Sequence, residues 1–171
     1  MAIKLSFMTW VCPDWDVQQI VGAAKQYRYH GIEFRTEANQ RHGIEPEADA
    51  TFIRDVRQMF ADNGLEISAI ATSCRFSSAD ATERGHMVER AKQHIDLAAQ
   101  IGSANVRVFG GAIPKGVSMD DAKRYIADCL RQLGEYAQPL GVYVLLETHD
   151  AFSRSKDALE TVRIADHQHV R

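Results

Sequence analysis

Short apolar runs alternate with longer stretches of helical spacing along the chain, five times in the same order. The apolar runs predict β-strands, because each is too short for a typical helix and is bounded by polar or glycine residues. The stretches between them carry apolar residues three and four positions apart, as in amphipathic helices. The five predicted strands are IKLSFMT (3–9), GIEFR (31–35), LEISAIAT (65–72), ANVRVFG (104–110) and VYVLLE (142–147).

The predicted helices have recognisable ends. Asp14 is expected to cap the first helix, and Gly64, Gly102 and Gly141 follow the second, third and fourth helices. Glycine suits the end of a helix because it adopts the left-handed conformation without strain. The apolar stripes of the predicted helices consist of Val17, Ile20, Val21 and Ala24; Phe52, Ile53, Val56, Met59 and Phe60; Met87, Val88, Ala91, Ile95 and Ala98; Tyr125, Ile126, Cys129, Leu130 and Leu133; and, after the last strand, Ala158, Leu159, Val162 and Ala165.

Regular alternation of strands and helices predicts an α/β fold with a parallel sheet, since parallel neighbours need a long connection. Polar side chains at several carboxyl strand ends favour a barrel, and no Gly-rich nucleotide-binding loop follows any strand. The predicted fold class is therefore parallel (β/α) units of a TIM barrel, about five of eight, forming an incomplete barrel. Residues 1–171 are expected to form one domain, apparently truncated where Val170 and Arg171 would start a sixth strand.

Composition narrows the classes of partner. With 45% hydrophobic and 25% charged residues, a net charge of -3 and a pI near 6.1, the chain is typical of a globular protein without a polybasic nucleic-acid surface. Its three cysteines lie far apart, which favours neither disulfides nor a zinc knuckle and suits the cytoplasm. Neither a signal peptide nor a membrane span is indicated. The acidic balance favours small neutral or anionic ligands over DNA as partners.

One carboxylate ends an unbroken apolar run. Glu147 follows residues 142–146, and a carboxylate there is costly unless it is paired, solvated or bound to a metal. His149 points to the same side of an extended chain and is expected to line the same site. Glu147 is therefore a candidate functional residue, with emergence into water as the alternative.

Other candidates for substrate binding follow the remaining strands. Glu33 and Arg35 share one face and are expected to form an ion pair in the barrel mouth or to bind substrate. Arg107 is expected to point inward, where it would bind substrate or neutralise Glu33 or Glu147. His42, in a polar loop, is expected to be solvated, and Trp10 is expected to pack or to offer an apolar surface to a ligand.

The sequence resembles the xylose-isomerase-like barrels, also called sugar phosphate isomerases and epimerases. The resemblance covers the whole chain and depends on IKLSFMTW, GIEFRTEANQRHGIEP, AKQHIDLAAQIGSANVRVFGG and above all GVYVLLETHD. It implies one divalent metal, manganese, magnesium, cobalt or zinc, at the barrel mouth, with Glu147 as the first ligand and as a catalytic carboxylate. It also makes His42 a candidate substrate contact and Trp10 a candidate wall for a sugar ring. The other ligands would come from the sixth, seventh and eighth strands, so the resemblance implies that this chain holds one of them.

The resemblance further implies isomerisation or epimerisation of a sugar or sugar phosphate through an enediolate. The metal would polarise the substrate carbonyl while carboxylates exchange the proton on the adjacent carbon. An endonuclease IV-like repair enzyme is the alternative within the superfamily, and the acidic chain and the Ser73-Cys74-Arg75 strand end disfavour it. From another class, a non-catalytic half-barrel would associate with a partner or as a homo-oligomer through exposed sheet edges.

Overall fold

The computed structural model describes residues 3–171, and its elements follow the predicted order, which confirms the α/β fold class. Each strand is followed by a helix. Three short 3-10 helices, Thr9–Val11, Gln138–Leu140 and Asp150–Phe152, lie between the larger elements. The strands are β1 (Ser6–Met8), β2 (Gly31–Arg35), β3 (Glu66–Arg75), β4 (Asn105–Phe109) and β5 (Tyr143–Glu147); the helices are α1 (Val17–Gln26), α2 (Ala50–Asp62), α3 (Ala81–Ile101), α4 (Met119–Ala137) and α5 (Ser155–Ala165).

The five strands form one parallel sheet in the order β1-β2-β3-β4-β5. The sheet is open, as in part of a barrel wall, because no pairing joins β1 to β5 within residues 3–171. Val170 forms a parallel bridge with Val144 on the outer edge of β5. Residues 169–171 donate and accept the backbone hydrogen bonds of that bridge, so the end of the described chain runs beside β5 like a sixth strand.

Four helices begin at a polar side chain that accepts hydrogen bonds from the first-turn backbone. In α1 this residue is Asp16, whose carboxylate accepts from the Gln19 N–H while the Gln19 side chain accepts from the Asp16 N–H. The prediction of Asp14 as the cap was wrong by two residues, because only Asp16 is placed to form this reciprocal pair. Asp49, Asp80 and Ser118 cap α2, α3 and α4.

Alternation along the strands separates a helix-covered face from a concave face. Ile32 and Phe34 of β2 and Val144 and Leu146 of β5 are buried against the helices. The residues between them are half-buried and turn to the concave side. Polar groups on the concave face therefore come from every second strand position, with glutamates on both β2 and β5.

Strand β3 extends three residues beyond the predicted end at Thr72. The Thr72 hydroxyl donates to the Arg107 carbonyl and accepts from the Cys74 N–H, and Arg75 pairs with Phe109 of β4. These side-chain bonds continue the strand through residues that sequence reasoning treated as a polar end. No helix within residues 3–171 has the length and apolarity needed to cross a membrane.

Two helical glycines provide a matched test of packing. A Cβ on Gly134 in α4 would lie 2.5 Å from Nδ1 of His167 and 3.0 Å from Cγ2 of Val170, whereas a Cβ on exposed Gly22 in α1 would meet nothing within 4 Å. We expect Gly134→Ala to lower the free energy of unfolding by about 1–3 kcal/mol through this overlap. Gly22→Ala should raise it by about 0.5–1 kcal/mol through helix propensity. Urea unfolding measures both, and equal stabilisation of both variants would contradict the packing of residues 167–170 on α4.

Candidate active site

Three charged side chains from β2, β4 and β5 meet on the concave face. Nε of Arg107 lies 2.8 Å from Oε2 of Glu147 and 3.7 Å from Oε1 of Glu33. Alternation brings Arg107 to this face, and the parallel register places it beside Leu145, one inward position before Glu147. The structure thus brings together three of the predicted site residues. The distances between them agree with the prediction that Arg107 neutralises Glu33 or Glu147.

Arg107 is held in place by its own strand and by β3. Its side chain is largely buried, NH1 donates to the Thr72 carbonyl over 3.0 Å, and the guanidinium lies 4.2 Å from the centre of the Phe109 ring. The short approach to Glu147 is not an aligned hydrogen bond, because neither Arg107 Nε nor Glu147 Oε2 has a hydrogen-bond partner among the described residues. Glu147 therefore has charge compensation but keeps a buried oxygen without a hydrogen bond.

The surroundings of Glu33 raise its pKa above the ordinary value of a glutamate. Burial raises the pKa of Glu33, and the negative charge of Glu147 raises it further. Arg107 and Arg35 lower the pKa of Glu33, but the balance of these effects leaves it raised. The concave face thus carries two carboxylates in unlike settings, Glu33 with a raised proton affinity and Glu147 beside a guanidinium.

His149 lies next to this group through an aromatic ring. Its imidazole is 4.9 Å from the Phe109 ring, whose other contact is the Arg107 guanidinium. Nδ1 of His149 is 3.0 Å from Oδ1 of Asp150, and about half of the side chain is exposed. An exposed imidazole near Glu147 is accessible to a ligand, so its predicted substrate role stays a prediction.

Arg35 and Trp10 form a separate group beside the first. Arg35 donates to the carbonyls of Thr36 and Ala71 and to the Ser73 hydroxyl, and Trp10 lies beneath its guanidinium at 5.8 Å. No ion pair joins Arg35 to Glu33 among the described residues, because these acceptors take the guanidinium N–H groups instead. The ion-pair alternative for Arg35 was wrong, although Trp10 remains 61% exposed and open to a ligand.

His42 lies apart from the concave face. It is 2% exposed, its Nδ1 accepts from the Ile44 N–H, and its Nε2 is 3.0 Å from Oε1 of Gln40. The ring also packs against Phe34 at 5.1 Å. The solvated-loop alternative was wrong, because the loop folds inward and buries the imidazole in a hydrogen-bonded setting.

Sequence reasoning missed a second polar cluster. Glu37 accepts hydrogen bonds from Nε of Arg90 and from the Ser73 N–H, both at 2.8 Å, and its Oε2 is 3.9 Å from Nε2 of His94. Burial alone would raise the pKa of Glu37, but these hydrogen bonds hold it below its ordinary value. The available signal was the placement of His94 on the same face as Val88, Ala91 and Ile95 of α3.

The concave face forms an open hollow of about 560 Å³ lined by Ser6, Met8, Glu33, Ser68, Arg107 and Glu147. A separate hollow of about 350 Å³, with Arg57 and Glu66 in its lining, lies at the amino ends of the strands. Active sites of such barrels form at the carboxyl ends, which favours the hollow at Glu147.

A divalent cation fits Glu147 on one observation, the buried Oε2 that lacks a hydrogen bond. Within residues 3–171, no trio of His, Cys, Asp or Glu side chains gathers its ligand atoms around Glu147. A cation there would take Glu147 as a ligand and need oxygen atoms from water, substrate or other strands.

Comparison with known proteins identifies the family. The sequence model of the xylose isomerase-like TIM barrel matches residues 21–171. The chain belongs to the xylose isomerase-like TIM barrel family. This match confirms the resemblance read from GVYVLLETHD and the preceding motifs. A search of curated proteins gave no match.

Solved structures share the fold over nearly the whole chain. IolI, in a structure with a binding zinc atom, has a TM-score of 0.83 at 17% identity, over 98% of this chain and 61% of that one. D-psicose 3-epimerase from Clostridium cellulolyticum, with D-tagatose, gives 0.81 at 13% identity, over 99% and 62%. The probable 3-DHS dehydratase AsbF from Bacillus anthracis gives 0.76 at 23%, over 99% and 61%. The chain thus spans about three fifths of these structures.

The buried imidazole of His42 predicts a pH-dependent stability. Burial lowers the pKa of His42 to about 4, from about 6.5 in an unfolded chain. The unfolded chain therefore binds the proton more readily, and this residue's contribution to stability is lost as pH falls from 6.5 to 4, by up to about 3 kcal/mol. In His42→Gln the stability should change less over this range. Urea unfolding at each pH measures the slope, with exposed His86→Gln as the control; a His42→Gln slope equal to wild type would refute the assignment.

Removal of the central guanidinium should destabilise the fold. Arg107→Met leaves Glu33 and Glu147 without a nearby cation, and we expect a loss of about 1–3 kcal/mol, reduced from a fully buried pair because both carboxylates are partly exposed. In a Glu147→Gln background the same substitution should cost less, because one of the two charges is already gone. Urea unfolding at neutral pH gives the double-mutant cycle, and additive losses would show that Arg107 and Glu147 do not interact.

Proposed function

We propose that this chain carries the proton-transfer half of a metal-dependent sugar or sugar phosphate isomerase or epimerase. The observation that carries the proposal is the Oε2 atom of Glu147, which is buried at a carboxyl strand end and lacks a hydrogen bond. Such an oxygen can bind a cation or accept a proton, and Nε of Arg107, 2.8 Å away, offsets its charge without forming an aligned hydrogen bond.

The side chains of the concave face suit proton transfer next to a carbonyl. Glu147 would take the proton from the carbon beside the carbonyl, and Arg107 would offset the negative charge that develops on the substrate oxygens. A divalent metal held by Glu147 would polarise that carbonyl when bound. Return of the proton to the same carbon from the opposite face gives epimerisation, and delivery of a proton to the neighbouring carbon gives isomerisation.

The setting of the hollow favours a small polar substrate. Its lining combines two glutamates, an arginine and two serine hydroxyls, which suits the hydroxyl-rich surface of a sugar. Glu33 and Arg107 line the hollow, whereas His149, Arg35 and Trp10 are candidate substrate contacts outside its lining. A net charge of -3 favours a sugar over nucleic acid as the partner, and a cytoplasmic location agrees with three free cysteines.

Among the similar folds, D-psicose 3-epimerase bears a name that agrees with this reaction. The name of AsbF, a probable dehydratase, indicates loss of water instead of epimerisation. Both reactions begin with removal of a proton next to a carbonyl, so exchange of that proton with solvent is the step to measure.

Deuterium exchange tests the proposal. The 171-residue chain, incubated in D₂O with Mn²⁺ and a panel of ketoses and ketose phosphates, should introduce deuterium at the carbon beside the carbonyl, as read by mass spectrometry and NMR. Glu147→Gln should slow this exchange by about 10²–10⁴-fold, the usual contribution of a positioned base. Glu66→Gln, which alters a glutamate at the opposite end of the strands, should not.

Two results would contradict the assignment. Exchange at the wild-type rate in Glu147→Gln would remove this residue from proton transfer. If the product were an unsaturated carbonyl compound formed by loss of water, with no deuterium-labelled epimer, the reaction would be dehydration and not isomerisation.

The half-barrel alternative is tested on the same material by light scattering. A monomer in solution would exclude the homo-oligomer formed through exposed sheet edges.

A further inference from the structure

A second group of ligand-type side chains lies where the ends of β2 and β3 meet helix α3. We call Glu37, Cys74 and His94 the Glu37 cluster. One ligand atom from each residue lies within 4.8 Å of the other two. The cluster is separate from Glu147, because Cys74 belongs to the core between the sheet and the helices, not to the concave face.

The hydrogen bonding of His94 fixes its tautomer. Nδ1 is 3.0 Å from the carbonyl oxygen of Arg90, which only accepts, so Nδ1 carries the proton and donates it. Nε2 of the neutral ring therefore presents a lone pair. The residue is 0% exposed, and Nε2 has no hydrogen-bond partner among the described residues. A metal-ligating histidine has the same arrangement, one nitrogen donating to a carbonyl and the other free.

The carboxylate of Glu37 faces this lone pair. Its Oε2 is 3.9 Å from Nε2 of His94 and is fixed in place by the Ser73 N–H at 2.8 Å. Two acceptors pointing at each other without a proton between them repel, and the buried nitrogen loses its hydration without compensation. A cation between the two atoms removes both penalties. The Cys74 thiol, also buried, completes a third side of the same space.

We propose that the Glu37 cluster binds one zinc ion through a carboxylate oxygen of Glu37, the sulfur of Cys74 and Nε2 of His94, with water as the fourth ligand. Sulfur and imidazole ligands select zinc over magnesium, calcium or manganese, which prefer oxygen. Zinc bonds of about 2.0–2.3 Å would bring the three atoms somewhat closer together than they are now. Binding replaces the S–H bond by an S–Zn bond and releases one proton to solvent.

The charges around the cluster permit this ion. Zinc with one thiolate and one carboxylate has no net charge, and Arg90 retains Glu47 as a second partner. The side chain of Glu37 is 20% exposed, so the ion has an entry from solvent on that side. The bound ion would fix the β2-α2 loop and α3 to the end of β3, where Ser73 also holds Arg35.

Cobalt titration tests the site, since Co²⁺ replaces Zn²⁺ and a thiolate ligand gives a charge-transfer absorption in the near ultraviolet. We expect one equivalent of Co²⁺ to produce this absorption in the wild-type chain and one equivalent of Zn²⁺ to abolish it. Cys74→Ser should remove the absorption, and His94→Gln should weaken binding at least tenfold. Cys129→Ser, at another buried cysteine, and Glu147→Gln, at the concave face, should leave the absorption unchanged.

The outcomes separate this site from the proposed function. Absence of thiolate absorption in the wild-type chain, or its survival in Cys74→Ser, would overturn the site without affecting deuterium exchange at Glu147. Circular dichroism checks that the variants fold. Should Cys74→Ser not fold, X-ray absorption at the zinc edge of the wild-type protein decides: a sulfur neighbour supports the site, and nitrogen and oxygen neighbours alone overturn it.

Discussion

The concave face depends on one buried guanidinium. Arg107 is placed between the carboxylates of Glu33 and Glu147, and without it two negative charges would face each other in a partly dry hollow. Its orientation comes from the Thr72 carbonyl and the Phe109 ring, that is, from β3 and from its own strand. The charge arrangement of the candidate active site therefore requires the strand register, because a shift of one residue in β4 would turn Arg107 into the apolar core.

The order and type of the strands and helices were predictable because their sequences are amphipathic or apolar. The first strand is shorter than predicted, Ser6–Met8 instead of residues 3–9. The position of Glu147 at the end of β5 was also predictable, since a carboxylate that ends an apolar strand contrasts sharply with the residues before it. The inward direction of Arg107 followed from alternation with Val106 and Val108. The hydrogen-bond partners of Arg35 could not be predicted from the sequence. They are backbone carbonyls and a hydroxyl group that lie on the following loop and on a neighbouring strand.

The Glu37 cluster was beyond the reach of sequence reasoning for a related reason. Glu37, Cys74 and His94 lie on three different elements and show no ligand spacing along the chain. His42 was misjudged because a charged loop sequence gave no sign that the backbone would fold the ring inward onto Phe34. In each case the missing information is a tertiary contact, whereas the local hydrophobic periodicity could be read from the sequence.

The proposed function places constraints on Arg107 itself. A cation bound at Glu147 would stand close to the guanidinium, and two positive charges at such a distance repel strongly in a partly buried site. Glu33 relieves this repulsion, since it already lies 3.7 Å from Nε of Arg107. As Glu147 turns its charge to a metal or a substrate, the guanidinium keeps Glu33 as its counter-ion. Loss of the like charge of Glu147 also favours the ionised form of Glu33, whose pKa that charge helps to raise. The second glutamate therefore lets the first one change partners without leaving a buried charge uncompensated.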